Sequence, residues 1–210
     1  MNIDEGNLYG NGNEDEEELS ENEHFEAYLS PESLANLRRL LGRDISKIHS
    51  LTSKWDDDED FFDKLFLEIS GNGGYVVLDA EHAETTGGYY HFLHLSATFA
   101  RQRQDMESIV SEALSPHVQG PPASTPVQSA TPITKIDVYE MNYSDPDFPD
   151  SASLDKLIVF HHADGNWFGV SGELSRVNAG LQLMRDDVML SEILRGDGYS
   201  SPCKRRLTLE

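Results

Sequence analysis

Apolar and polar positions are patterned most distinctly over residues 156–173, KLIVFHHADGNWFGVSGE. Two runs rich in β-formers, 157–162 and 166–171, flank Asp164-Gly165. Asp-Gly between such runs signals a hairpin, because a two-residue type I′ turn needs positive φ at both central positions. That turn sets His161 opposite Phe168 and His162 opposite Trp167. One face then carries Leu157, Val159, His161, Phe168 and Val170, and the other Ile158, Phe160, His162 and Trp167. Neither face is polar, which predicts a central hairpin covered on both sides.

Elsewhere the period lengthens. Ser30-Pro31-Glu32 opens a helix with Ser30 as cap and Pro31 in its first position, followed by Leu34, Leu37, Leu40 and Leu41. Helical spacing also assigns 44–54 through Ile45, Ile48 and Leu51, and 61–70 through Phe62, Leu65, Phe66 and Ile69. Two more helices are predicted, over 98–114 and from Glu173 through Leu174, Val177, Leu181 and Met184, the latter broken or capped at Asp186-Asp187. Strands are predicted at 75–80, 89–97 and 133–141, and the prolines at 116, 121, 122, 126 and 132 mark 115–132 as an extended excursion. The fold class expected is α+β: an antiparallel sheet of about five strands, built from two hairpins and a single strand, with helices mainly on one face. Residues 1–29 read as a disordered acidic tail, 30–198 as one domain and 199–210 as a flexible C-terminal tail.

Charge sharpens this outline. The chain has 210 residues and a formal net charge of −22. Residues 1–30 hold ten acids and no Lys or Arg, so a net −12 remains on 31–210. A surface this negative repels nucleic acid and anionic membranes and attracts cationic partners. Cys203 is the one cysteine and cannot form an internal disulfide, and no leader or membrane span is evident, so a cytoplasmic location is expected.

The candidate chemistry is sparse. The hairpin rings His161, His162, Trp167 and Phe168, with the loop acids Asp145, Asp147 and Asp150, are the candidate binding residues. The imidazoles either stack on neighbouring rings or line a site. His91 and His94, three apart on a strand, point to opposite faces and do not share an ion. The acidic run 56–60 lacks the alternating ligands and Gly of a calcium loop, and no nucleophile elbow, phosphate loop, dinucleotide fingerprint or paired-Cys motif occurs. Neither metal nor cofactor is expected, and a binding role is favoured over an enzymatic one. The function that follows is a non-enzymatic binding or inhibitory protein that neutralises a basic protein partner. Two alternatives are a small-ligand protein or enzyme with His161, His162, His91 or Asp79 in a pocket on the sheet, and a chaperone-like or scaffold module.

Two segments also carry a resemblance. Residues 61–74, FFDKLFLEISGNGG, and 164–170, DGNWFGV, resemble the apolar helix with its Asn-Gly-Gly turn and the Gly-containing hairpin of SMI1/KNR4-type immunity proteins. Acids here replace the Leu-Pro that precedes the family's helix, and the helix after DGNWFGV comes too early. The resemblance implies a helix over 61–70 and an inhibitory role toward a protein partner.

Overall fold

A computed structural model describes residues 23–52, 61–71, 73–85, 90–101, 123–127, 129–144, 147, 150–174, 179–196 and 200–210. Its strands are β1 (His24–Ala27), β2 (Ile45–Thr52), β3 (Phe61–Ile69), β4 (Tyr75–Glu84), β5 (His91–Ala100), β6 (Ala123–Pro126), β7 (Ile133–Ser144), β8 (Ser151–His162), β9 (Trp167–Leu174), β10 (Ala179–Met184) and β11 (Lys204–Leu209). The helices among the described residues are α1 (Pro31–Arg38) and α2 (Asp187–Arg195). The chain is thus mostly antiparallel sheet with two short helices, which agrees with α+β at that level, but the layout differs from the expected one.

One hydrogen-bonded path runs β11-β7-β8-β9-β10-β3-β2-β6, with β4 on β3, β5 on β4, and β1 parallel to the start of β8. β3 joins two wings: Lys64 to Glu68 pair with β4, while Phe61 and Phe62 pair with β10. The wings fold face to face. Leu37, Leu65, Leu67, Val76, Leu78 and Leu95 meet Ile136, Val138, Ile158, Phe160, Phe168 and Val170 in one core. At Gly172 of β9 the wings come close, since an added Cβ would stand 3.1 Å from Leu93 Cβ and 3.2 Å from Leu95 Cδ2. On the outer face, Leu157, Val159 and Met184 are covered by Met189, Leu190, Ile193 and Leu194 of α2. The helices therefore do not share one face: α1 belongs to the core between the wings and α2 to the outside.

One helix starts where the sequence puts it, at Ser30, and Asp186-Asp187, expected to break or cap a helix already running, instead opens α2. Ser30 Oγ accepts from Ser33 N at 3.0 Å, and Asp186 Oδ1 accepts from Val188 N and Met189 N at 3.1 and 2.9 Å. Three other predicted helices are strands. In β2 a bulge between Ile45 and Lys47 brings Ile45 and Ile48 to the same buried face, so a spacing of three arises without helix. β3 buries Leu65, Phe66 and Leu67 in succession, because the strand is covered on both sides and its apolar run has no period to read. Leu181 and Met184 of β10 are likewise on opposite faces, one in the core and one under α2. The helix implied over 61–70 by the immunity-protein resemblance is therefore absent. Of the predicted helix 98–114, Thr98 to Ala100 complete β5 and 102–114 lie outside the described residues.

The tails also need correction. Within the expected 1–29 tail, His24–Ala27 form β1 and Leu29 is buried; within 199–210, Lys204–Leu209 form β11 with Leu209 buried. Part of the Pro-rich excursion, Ala123–Pro126, pairs with β2. No helix among the described residues is long and apolar enough to cross a membrane.

Candidate functional site at the β8–β9 hairpin

The hairpin forms, with a register one residue from the expected one. Gly165 N donates to His162 O at 3.1 Å and His162 N to Asn166 O at 2.8 Å, so Ala163, Asp164 and Gly165 make a three-residue tip with Gly165 at φ +86°. His161 then faces Trp167, Phe160 faces Phe168 and Ile158 faces Val170. A slip of one residue exchanges the two faces of one strand relative to the other. Phe168 and Val170 accordingly join His162 and the core, while Trp167 goes with His161 and the α2 side.

Asp164 fastens the tip. Its Oδ2 accepts from Ser129 Oγ at 2.8 Å and from Asn166 Nδ2 at 2.9 Å, and its Oδ1 accepts from Asn166 N at 3.1 Å. The Ser129 hydrogen bond, aided by those from Asn166 and Thr131, outweighs a small desolvation and holds this exposed carboxyl at about 2.

On the α2 side, His161 Nε2 donates to Asp137 Oδ2 at 2.9 Å. Asp137 is 1% exposed and also accepts from Thr208 Oγ1 at 2.6 Å, with Lys135 Nζ at 2.9 Å and Arg205 Nη1 at 3.8 Å. Burial raises its pKa, but hydrogen bonds from Thr208 and Lys135 and the charges of Lys135 and His161 bring the net below the ordinary carboxyl value. His161 is lowered by burial first and by the charge of Lys135, against the pull of Asp137. A neutral imidazole steered by a buried carboxylate is the arrangement of a general base. Among the described residues the hydroxyl bonded to the pair, that of Thr208, donates to Asp137 rather than to the ring.

Across the sheet, His162 Nδ1 donates to Thr131 O at 2.7 Å, which fixes the ring's tautomer. The ring lies 5.8 Å from Phe168, itself stacked on Phe160 at 4.6 Å. His162 Nε2 and Arg185 Nη2 are buried without hydrogen-bond partners among the described residues. Both residues line a void of about 10 Å³, with Ile48, Val127, Ser129 and Trp167, which is room for one water.

The predicted binding residues therefore do not form one site. His161 and His162 serve opposite faces, and the loop acids lie at the far end of β8, about 33 Å along the strand from the tip. Asp147 is exposed there, Asp150 is buried, and Asp145 lies outside the described residues. Nor do the other candidates converge: Asp79 pairs with Lys64, His91 stacks on His82 with ring centroids 5.3 Å apart, and His94 Nε2 donates to Tyr28 O at 3.2 Å. His91 Nδ1 lies 3.3 Å from His82 Nε2 and 3.3 Å from Glu84 Oε2, so these exposed side chains partner one another. No group of three or more His, Cys, Asp or Glu among the described residues could hold a metal ion.

The polar centre that sequence reasoning missed is Asp155. Wholly buried, it accepts from Leu29 N at 2.7 Å and from Arg206 Nε and Nη2 at 2.7 and 2.6 Å, and the guanidinium also lies 4.6 Å over the Tyr28 ring. Only the placement of an acid inside the apolar stretch 152–160 hinted at it. No protein-family model matches the chain, and no curated protein or solved structure matches it.

Proposed function

We propose that this is a non-enzymatic binding protein that offers an acidic surface to a basic protein partner and so neutralises it, in the cytoplasm. The observation that carries the reading is how the cations are used. Lys135, Arg205 and Arg206 lie against the buried carboxylates Asp137 and Asp155, and Lys64 and Lys156 against the partly buried Asp79 and Glu173. Among the described residues these five cations answer four carboxylates, which leaves eleven Lys and Arg against thirty-four acids in the rest of the chain. Like charges left outward steer cationic partners and reject polyanions.

The test is capture by the immobilised full chain from a panel of basic and acidic proteins matched in size. Basic members are expected to be retained at low ionic strength and released as salt rises. Retention indifferent to salt, or equal retention of acidic proteins, would overturn the reading.

A further inference from the structure

β3 and β4 pair from Glu68 and Tyr75 to Lys64 and Asp79 and then part, because β10 takes the place of β4 beside Phe61 and Phe62. The exchange relies on Gly180 of β10, where an added Cβ would stand 3.0 Å from Phe62 O. Past the parting, Ala80 to Glu84 keep β5 as their one strand partner among the described residues. A cleft of about 360 Å³ opens between this edge and Ala179 and Gly180 of β10.

The main chain of that edge is turned toward the open side. Thr85 N donates to Tyr90 O at 3.0 Å, and the β4–β5 register runs without a shift, so the odd-numbered residues of β4 turn their N–H and C=O toward β5. Ala80, His82 and Glu84 therefore turn theirs away from it. Ala80 N is answered by its own neighbour, Asp79 Oδ1, at 2.8 Å, while His82 and Glu84 lie exposed. On the far edge of the same ribbon the equivalent groups are covered: Ala97 N donates to Ser33 Oγ and Ala97 O accepts from Asn36 Nδ2, both at 3.1 Å. An exposed, regular strand edge is a template for one more strand.

Charge selects which strand. Glu81 and Glu84 are exposed on opposite faces of β4, and Lys64 beside them is taken up by Asp79. A second copy of this edge would gather four carboxylates along one seam, which is unfavourable, whereas an extended segment with Lys or Arg three positions apart meets each acid with a cation. We infer that the edge Ala80–Glu84 binds an extended basic segment of a protein partner as an added strand, with its cations facing Glu81 and Glu84. This names the contact within the acidic-surface reading and rests on it.

The test is a magnetic-resonance titration of the isotope-labelled full chain with a capped TKVTKV peptide, its fully N-methylated form, which keeps the charge but loses every N–H, and its acidic match TEVTEV. Saturable binding of TKVTKV with slowed hydrogen exchange at the His82 and Glu84 amides is expected, and neither control should bind. His82→Pro removes an N–H that β5 does not use, so the β4–β5 ladder keeps its bonds, and affinity should fall about tenfold, as for one lost hydrogen bond. Glu81→Gln and Glu84→Gln should each weaken binding about threefold. Circular dichroism checks the fold of the Pro variant, and the two Gln variants carry the test if that fold is lost. Absence of saturable binding, equal binding of the N-methylated peptide, or affinity unchanged in all three variants would overturn strand addition. So would sedimentation showing a dimer of the free chain that His82→Pro abolishes, which gives the edge to a second copy. Failure with the peptide leaves salt-sensitive capture of basic proteins standing, whereas failure of that capture removes both.

Discussion

Asp155 and Asp137 are buried beside apolar core residues, and each is answered by donors. Asp155 is held by a backbone N–H and a bidentate guanidinium. Replacing it with Ala leaves Arg206 and Leu29 N unanswered, and is expected to cost about 3 kcal/mol or more in urea unfolding. The pair at His161 predicts a pH dependence. In the unfolded chain His161 takes a proton near its ordinary 6.5, whereas in the fold its pKa is lowered, so the unfolded state binds more protons as pH falls below about 6.5 and stability declines. Asp137 is lowered from 3.8, so its contribution is complete above that value and is lost as pH falls below it. Urea midpoints measured against pH should drop in these two steps, and His161→Asn should flatten the upper one. None of these partnerships is legible in the sequence, because each joins residues remote along the chain.

At the scale of elements, local capping was legible and period was not. Ser30 announces its helix because a cap acts within three residues, and Asp186 caps α2 within the same reach. The helix–strand confusion in β2, β3 and β10 has one physical origin: bulges and two-sided burial erase the alternation by which strands are recognised. The Asp-Gly hairpin was read correctly as a hairpin, and its turn was one residue too short. That error paired His161 with Phe168 and His162 with Trp167, where the fold sets Trp167 opposite His161 and Phe168 near His162. Gly165 takes φ +86° with no atom within 4 Å of where a Cβ would stand. Gly165→Ala should therefore cost only the backbone term, about 1–2 kcal/mol, and leave the spectra of the folded state unchanged.

For the molecule as a whole, the last strand is part of the body. Cys203 precedes β11, donates its N–H to Leu194 O at 2.9 Å, and has its thiol pushed up to about 11 by burial, with Glu173 adding to the rise and Lys156 opposing it. Its reaction with a disulfide reagent at pH 8 should be slow and should quicken in parallel with unfolding; fast labelling of the native protein would show that the strand detaches on its own.

Leu29, the middle of β8 and Arg206 meet at Asp155, across separations of 126 and 51 residues. Any intermediate that has closed one of these loops but not the other strands a charge in an oily interior. Half-assembled forms are thereby penalised, and the chain is expected to gain and lose its structure in a single slow step, with refolding in the range of milliseconds to seconds typical of sheet proteins dominated by distant pairings.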